Sequence, residues 1–195
     1  QVEAVYTNRD YEPKALQRDQ RIFEQLQALN ILFIGAKDQV IFEKSEVVKD
    51  DNKPYTVFTP YSKKWKAKLN AFYLKAYPTE KYLGSLQKVA ATAMLSLEAL
   101  GFNPEQTQDF PAKTTPKEII QRYHEQRDIP SVLGTSRLSL HLRFGTISIR
   151  KLAQEAAQIN EKYLNELIWR DFYQMILHHF PYTVDGAFKP VYDQI

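Results

Sequence analysis

The stretch NELIWRDFYQMILHHFP (165–181) constrains the fold most, because it reads as a helix that is apolar almost all the way round. Glu166, Arg170 and Asp171 nevertheless lie in its middle. A helix that is apolar on every side is normally buried, and charges in such a helix need partners or a cavity. We therefore predict that one face of this helix packs in the core and that the other face lines a site.

A helical wheel divides this segment into two faces. The apolar face consists of Leu164, Leu167, Ile168, Phe172, Met175 and Ile176. The mixed face consists of Glu166, Trp169, Arg170, Tyr173 and Leu177. The spacing of Glu166 and Arg170 favours an ion pair. Such a face suits a planar ring with hydrogen-bonding edges, although a buried helix with one internal ion pair and packed aromatic rings explains the same spacing.

A turn rich in hydroxyl groups, GTSRLS (134–139), is the second candidate site. We expect Gly134 to let the backbone turn, and Arg137 offers a bidentate partner for phosphate. A helix is predicted to start directly afterwards, and free N–H groups at a helix start favour phosphate. The turn therefore indicates either a phosphate contact or simple helix capping.

The first 50 residues have the pattern of a strand–helix–strand unit. VEAVYTN (2–8) and ILFIG (31–35) read as strands, and the apolar run QVIF (39–42) follows closely. Between the strands, apolar residues recur at helical spacing after Pro13. We expect residues 1–50 to be the end of an N-terminal α/β, Rossmann-like domain.

Residues 51–113 have weak patterning and are predicted to form a long interdomain connector. A short basic helix is expected over residues 62–73, with Trp65, Leu69 and Phe72 on one side. The lysines of this region indicate either a solvated helix face or a surface attracted to phosphate. They are Lys63, Lys64, Lys66, Lys68, Lys75 and Lys81.

Helix signals become stronger in residues 114–195, which we predict to be the N-terminal part of an all-helical domain. Thr115, Pro116 and Glu118 form a capping-box arrangement for a helix that runs to Arg127. The further predicted helices are 139–145, closed by Gly145, 148–159, capped by Ser148, and 161–179, which stops before Pro181.

Composition excludes several classes of site. The chain has no cysteine, so disulfides, thiolate zinc sites and cysteine nucleophiles are excluded. The histidines do not stand at ligand spacing, so no metal site is expected. The chain contains no run of about 20 apolar residues, so no membrane span is expected. Neither a phosphate-binding loop motif nor a Rossmann fingerprint is present.

Two motifs taken together resemble a known family. TSRLSLHLRFGTISIRKL (135–152) followed by NELIWRDFYQMILHHFP (165–181) resembles the flavin-binding helical domain of the DNA photolyase and cryptochrome family. Shorter matches at AVYTNRDYEP (4–13), KDQVIFE (37–43) and KPYTVFTPYSKKW (53–65) extend the likeness over nearly the whole chain. The chain looks most like a bacterial cyclobutane pyrimidine dimer photolyase, with an antenna-binding α/β domain followed by a helical FAD-binding domain.

This resemblance implies a deoxyribodipyrimidine photolyase that acts on UV-damaged DNA. In that family, reduced FAD absorbs blue light and passes an electron to a pyrimidine dimer, which is flipped out of the duplex. The resemblance further implies a bacterial, cytoplasmic, DNA-associated monomer without a metal or a membrane contact. The antenna pigment, folate or deazaflavin, stays open, because YEPKA (11–15) lacks the Asn-Glu pair of folate-binding relatives.

The resemblance also implies a role for each candidate residue. Glu166 corresponds to the carboxylate that hydrogen-bonds the dimer, and Trp169 corresponds to the tryptophan that packs against it. Arg127 matches a DNA-contacting arginine, and Tyr173 is expected to line the DNA-facing pocket. Flavin contacts are implied for Tyr123, Thr135, Ser136, Arg137, Leu138, Ser139, Tyr163 and Arg170. Tyr163 stands where several relatives have a tryptophan, which makes that contact a departure from the family.

Other parts of the family pattern have no counterpart here, namely the first part of the α/β domain and the later segment with the GxTGxPLVDA motif. The chain is therefore expected to be a fragment that holds half a flavin pocket and is inactive alone. Two alternatives remain open. One is a cryptochrome that senses blue light without repair, and the other is a non-catalytic DNA-binding helical module that uses the lysine-rich surface. Glu166 together with Trp169 favours repair, because both suit a dimer.

Overall fold

The computed structural model of the chain describes residues 2–103 and 110–194. The fold is mostly helical, with a two-stranded parallel sheet near the N-terminus, as predicted. The elements are β1 (Ala4–Asn8), α1 (Pro13–Ala28), β2 (Leu32–Ala36), α2 (Phe58–Lys68), α3 (Lys117–Gln121), α4 (Tyr123–Gln126), α5 (Ser139–Arg143), α6 (Ile149–Ile159) and α7 (Glu161–His179). Short 3₁₀ helices cover Thr79–Ser85, Pro181–Val184 and Pro190–Gln194.

The strand–helix–strand prediction is confirmed. Strands β1 and β2 pair in parallel, with Ala4 opposite Leu32 and Asn8 opposite Ala36, and α1 connects them. Pro13 occupies the first turn of α1, where its missing N–H group would have had no helical partner. Several apolar residues of the two strands are exposed, for example Tyr6 at 73%. The sheet therefore contributes little to the hydrophobic core.

The apolar run QVIF (39–42) forms no strand, although Val40, Ile41 and Phe42 are buried. The backbone N–H groups of Ile41 and Phe42 donate to the carboxylate of Asp171, each at 3.1 Å, instead of to a neighbouring strand. A buried segment without regular structure needs such acceptors for its N–H groups. The segment therefore attaches the α/β unit to α7.

The connector helix α2 is displaced from its predicted position. It begins at Phe58 and ends at Lys68, because Leu69 is extended with a ψ of 131°. Trp65 is buried and Leu69 packs against the core. The prediction that Phe72 shares one side of the helix with these two residues is wrong, since Phe72 lies beyond the helix end and is 69% exposed. Residues 86–96 have no regular secondary structure.

The helix predicted to run continuously up to Arg127 is divided in two. Helices α3 and α4 meet at Arg122, whose φ of −94° and ψ of 10° depart from helical geometry. The predicted cap is also wrong, because Pro116 occupies the cap position. The hydroxyl of Thr115 instead donates to the carbonyl oxygen of Ser136 at 3.2 Å. This hydrogen bond ties the start of α3 to the hydroxyl-rich turn.

The predicted bounds of α6 and α7 are confirmed. The Ser148 hydroxyl accepts a hydrogen bond from the backbone N–H of Lys151, and Gly145 closes the preceding α5 helix with a φ of +64°. The cap of α7 was not predicted. The Asn160 side chain accepts from the N–H groups of Lys162 and Tyr163 at 2.9 and 3.3 Å.

The hydrophobic core lies between α2, α6, α7 and the segment that follows β2. The apolar face predicted for α7 is confirmed, since its members are buried except for Ile176, which is partly buried. The buried residues of this core are Ile41, Phe42, Val47, Tyr61, Trp65, Ile120, Leu138, Ile149, Leu152, Ala153, Ala156, Tyr163, Leu164, Leu167, Ile168, Phe172 and Met175.

Candidate functional site

The mixed face of α7 is open to solvent along the same turns whose apolar face is buried. Tyr173 is 61% exposed, the side chain of Glu166 is 35% exposed, and Trp169 is half-buried. On the apolar side, Ile168 is fully buried. The two-sided helix predicted from the wheel is thus present, and Glu166, Trp169 and Tyr173 are at least partly accessible on its mixed face.

Two aromatic rings flank the indole of Trp169. The ring of Phe58 stacks on it with a centroid distance of 3.7 Å and an interplanar angle of 5°. The ring of Tyr173 lies 5.4 Å away at 25°. Trp169 also meets the edge of Phe172 at 5.6 Å. Phe58 is the first residue of α2, and no sequence pattern connected it with this site.

The predicted ion pair between Glu166 and Arg170 is wrong. Glu166 pairs with Arg127, the residue that ends α4. The Glu166 carboxylate is the main cause that raises the pKa of Arg127 above its usual value. Both side chains are about one-third exposed, so the pair contributes little to stability. The pair nevertheless brings the predicted dimer-contacting acid and the predicted DNA-contacting arginine together.

Arg170 faces the α/β unit rather than Glu166. Its guanidinium donates to the backbone carbonyl of Gln39 and lies 3.5 Å from the Gln39 side-chain oxygen. Burial lowers the pKa of Arg170 from its usual value. These contacts use the guanidinium that the family pattern assigns to the flavin, and that assignment stays a prediction.

The charge of Asp171 has a structural role inside the core. One carboxylate oxygen accepts from the N–H groups of Ile41 and Phe42 and from the indole N–H of Trp65, the last at 3.0 Å. The other oxygen has no partner among the described residues. Burial raises the pKa of Asp171 to about 6, while the hydrogen bonds from Trp65 and Phe42 oppose this shift. Asp171 therefore holds both the segment after β2 and helix α2 against α7.

Two tyrosines predicted to contact a flavin lie against each other. The rings of Tyr123 and Tyr163 meet edge to face at 5.1 Å. Tyr163 is 3% exposed, and burial raises its pKa while a hydrogen bond with Ser136 opposes the shift. The guanidinium of Arg127 lies 5.7 Å from the ring centre of Tyr123. Helix α4 thus connects the hydroxyl-rich turn with the mixed face of α7.

In the hydroxyl-rich turn, exposed polar groups surround one buried anchor. Thr135, Arg137 and Ser139 are exposed, whereas Leu138 is 3% exposed and belongs to the core. Arg137 has a φ of 53°, a left-handed conformation that is uncommon for a residue with a Cβ. The buried leucine fixes the turn. The hydroxyl groups of Thr135 and Ser139 and the guanidinium of Arg137 remain accessible to a ligand.

Gly134 was expected to be needed for its backbone angle, but the structure shows that a side chain at this position has no room. Its φ lies outside the left-handed region, but an added Cβ would come within 2.5 Å of the Gln126 Cβ and 2.8 Å of the Gln126 carbonyl oxygen. We expect Gly134→Ala to lower the free energy of unfolding by about 1–3 kcal/mol, because α4 must shift to make room.

Thermal unfolding of the Gly134→Ala variant would measure this effect. The matched control is Gly84→Ala, because an added methyl group there meets nothing within 4 Å. Equal unfolding midpoints for the two variants would contradict the close packing of the turn against α4.

Two cavities lie away from the mixed face of α7. One of about 1070 Å³ opens at the carboxyl ends of β1 and β2, with Tyr77 and Arg150 in its lining. The other, of about 420 Å³, lies beside α3 and the start of α6. Neither is lined by Glu166, Trp169 or Tyr173. The mixed face of α7 therefore contributes to neither of these two cavities.

The lysine-rich run does not form one uniform positive surface. Lys64 pairs with Asp50 at 2.8 Å, and Lys66 pairs with Glu161. Lys68 donates to the backbone carbonyl of Glu46. These contacts reduce the support for a DNA-binding module that relies on this run.

Neither a metal site nor a membrane span is evident in residues 2–103 and 110–194. No group of three or more histidine, cysteine, aspartate or glutamate side chains there could hold a metal ion. No helix in the same part of the chain is long and apolar enough to cross a membrane.

The side chains around α7 combine three kinds of recognition. The half-buried indole of Trp169 is flanked by Phe58 and Tyr173, and the exposed phenol of Tyr173 offers a flat surface on which a base can stack. The carboxylate of Glu166 can accept hydrogen bonds from the N–H groups of a base, and Arg127 can pair with a phosphate. Such a combination suits a base that has left the duplex.

Comparisons with known proteins identify similar sequences and a similar fold. The DNA photolyase family model matches residues 1–81. The chain is 31% identical to a deoxyribodipyrimidine photo-lyase of Synechococcus sp. and 30% identical to one of Alkalihalophilus pseudofirmus, and the whole chain is covered in both cases. It spans 46% and 44% of the length of these two curated relatives. A solved archaeal photolyase from Sulfolobus tokodaii with two FAD molecules shares the fold, with a TM-score of 0.68 and 23% identity over the whole chain and 43% of that protein.

Proposed function

Because the chain belongs to the DNA photolyase family, we propose that it provides the lesion-facing wall of a deoxyribodipyrimidine photolyase. The observation that supports this role most is the adjacency of Arg127, Glu166 and Trp169 on a face that is open to solvent. This part of the surface would receive a cyclobutane pyrimidine dimer that has flipped out of DNA.

On the lesion side, each residue has a separate task. Trp169 packs against one pyrimidine ring of the dimer, since the indole offers a broad apolar surface for van der Waals contact. Glu166 accepts hydrogen bonds from the pyrimidine N–H groups and so fixes the orientation of the dimer. Arg127 pairs with a neighbouring phosphate, and Tyr173 closes the exposed side of the pocket. The ion pair with Arg127 holds Glu166 in place while no DNA is bound.

On the cofactor side, the exposed groups of the hydroxyl-rich turn fit the phosphates of FAD. Reduced FAD, when bound, would supply the light-driven electron that opens the cyclobutane ring. Thr135, Ser136, Arg137 and Ser139 would hold its phosphates, since hydroxyl and guanidinium groups donate well to such oxygens. The buried side chain of Leu138 limits this residue to a backbone contact. The remaining flavin contacts are assigned to Tyr123, Tyr163 and Arg170.

Replacing Glu166 with glutamine is expected to reduce repair more than it reduces folding or DNA binding. The amide keeps the shape of the side chain but loses the charge that strengthens hydrogen bonds to the dimer. Stability should change by less than about 1 kcal/mol, because the ion pair with Arg127 is partly exposed. The measurement is the yield of repaired dimer per absorbed photon when all DNA is bound. An unchanged repair yield would show that the Glu166 carboxylate has no role in the reaction.

The 195-residue chain alone should bind flavin weakly and repair nothing. It spans less than half the length of the Synechococcus sp. and Alkalihalophilus pseudofirmus relatives, and Glu166, Trp169 and Tyr173 line neither described cavity. A purified 195-residue chain that is yellow and splits dimers under blue light would contradict this part of the proposal.

The function itself is tested with the full-length protein. Flavin-loaded, reduced protein is mixed with an oligonucleotide that carries one cyclobutane thymine dimer, and the dimer is quantified after blue light and after darkness. We expect loss of the dimer only in the light, and no loss of a (6-4) photoproduct. A protein that binds flavin but leaves the dimer intact would instead be a cryptochrome-type receptor.

The absorption spectrum of the same preparation identifies the pigments. Flavin bands are expected, and a further near-ultraviolet chromophore would reveal a folate or deazaflavin antenna. The cavity of about 1070 Å³ at the carboxyl ends of the strands is our candidate position for that pigment, because α/β sheets bind ligands at this edge. The proposal places the protein on DNA in the cytoplasm, as a monomer.

A further inference from the structure

The orientation of the Trp169 indole depends on a neighbour outside α7. A half-buried side chain at the rim of a core can occupy several rotamers unless packing fixes it. Here the ring of Phe58 lies parallel to the indole at 3.7 Å and covers one of its faces. The same phenyl ring meets Phe172 edge to face at 5.9 Å, so it rests on a buried side chain of α7.

Phe58 is itself held by the core beneath α2. The indole N–H of Trp65 donates to Asp171, and the ring of Tyr61 lies 5.1 Å from that of Phe172. Both Trp65 and Tyr61 are almost completely buried. The register of α2 on α7 is therefore fixed, and with it the position of the first residue of α2.

We propose that Phe58 is a positioning residue for the lesion site, because its ring sets the plane of the Trp169 indole against which a pyrimidine would pack. This inference rests on the proposed function of the α7 face. Phe58 covers one face of the indole and the ring of Tyr173 lies 5.4 Å from it, so a pyrimidine must reach the part of the indole that these two rings leave exposed. The connector thus contributes to lesion recognition through one ring contact.

The stack of Phe58 on Trp169 requires a planar ring at position 58, whereas ordinary core packing requires only a side chain of similar volume. A leucine at position 58 would fill much of the same volume, but it has no plane that can align the indole. A tyrosine would keep the plane. Aromatic pairs contribute beyond the area that they bury, and this additional part is what the Phe58→Leu variant removes.

The test compares Phe58→Leu, Phe58→Tyr and wild type in the full-length, flavin-loaded protein. Affinity is measured for an oligonucleotide with one cyclobutane thymine dimer and for the same oligonucleotide without it. We expect Phe58→Leu to weaken binding of the damaged strand about two- to tenfold and to leave binding of the intact strand unchanged. Phe58→Tyr should restore wild-type discrimination. Equal affinity of wild type and Phe58→Leu for the damaged strand would overturn the proposal.

A double-mutant cycle separates this inference from the proposed function. If Phe58 acts through Trp169, the Phe58→Leu change has no further effect on lesion affinity in a Trp169→Ala background. An equal effect in both backgrounds would overturn the positioning role. If Trp169→Ala alone leaves lesion affinity unchanged, the proposed function of the α7 face fails first. If only Trp169→Ala has an effect, the inference about Phe58 fails while the proposed function remains.

Discussion

Replacing Trp169 with alanine is expected to weaken binding of dimer-containing DNA about 5- to 100-fold in the full-length, flavin-loaded protein. The estimate follows from about 1–3 kcal/mol for one base stacked on an aromatic side chain. Binding of intact DNA should change little, because phosphate contacts dominate it and the indole makes none. The measurement is a pair of equilibrium titrations, with the damaged and the intact oligonucleotide, at one fixed salt concentration.

Two further variants make the Trp169→Ala result specific. Trp169→Phe keeps a ring and should lose less lesion affinity than the alanine variant. Tyr6→Ala removes an aromatic ring that is 73% exposed on strand β1, and it should behave like wild type. Equal losses for damaged and intact DNA in Trp169→Ala would indicate a folding defect instead of a lost stacking surface, and thermal unfolding would reveal it.

Replacing Asp171 with alanine is expected to have the largest effect on stability. The change leaves the N–H groups of Ile41 and Phe42 and the indole N–H of Trp65 without their acceptor. Each buried donor without a partner costs about 1–3 kcal/mol. Removing a buried charge offsets part of this loss. We expect a net decrease of about 3 kcal/mol in the free energy of unfolding at neutral pH, measured as a lower unfolding midpoint.

The Asp171→Asn variant tests the charge separately from the hydrogen bonds. Because burial raises the pKa of Asp171 to about 6, the folded protein retains a proton that the unfolded chain loses near pH 4. The part of the stability that depends on protonation of this carboxyl is complete below pH 4 and is lost as the pH rises through 6, separately from the hydrogen bonds that Asp171 accepts. Relative to Asp171→Asn, wild type should therefore lose about 2–3 kcal/mol between pH 4 and pH 7. Parallel pH profiles of the two proteins would contradict a buried, perturbed carboxyl.

The sequence predicted those elements whose signals are local. The bounds of α6 and α7 followed from apolar spacing and from Ser148 and Pro181, which act through residues that lie close by in the chain. The parallel strand pair followed from two apolar runs with a helical pattern between them. The two faces of α7 followed from periodicity alone.

Features that depend on contacts between residues far apart in the chain could not be predicted from local sequence patterns. Trp65 and Asp171 are 106 positions apart, and only the folded chain brings the indole to the carboxylate. The same applies to the stack of Phe58 on Trp169. The i, i+4 rule favoured a partner for Glu166 on its own helix, but tertiary packing supplied Arg127 from α4 instead. One local indication of the Asp171 contacts was present in the sequence, namely that an acidic residue stands within an otherwise apolar helix face.

The division of the helix before Arg127 has a similar origin. Thr115 has the local features of a cap, yet its hydroxyl bonds to Ser136 in the turn that follows α4. Close packing of Gly134 against Gln126 holds this turn on α4. A tertiary contact therefore replaced the capping box, and the helix broke at Arg122.

A structure of the full-length protein bound to DNA with a single cyclobutane dimer tests the central claim most directly. We expect the flipped dimer to lie about 3.5–4 Å from the indole of Trp169, in van der Waals contact. Its pyrimidine N–H groups should be within about 3 Å of the Glu166 carboxylate. A dimer bound on another surface, with Trp169 and Glu166 facing solvent, would contradict the account.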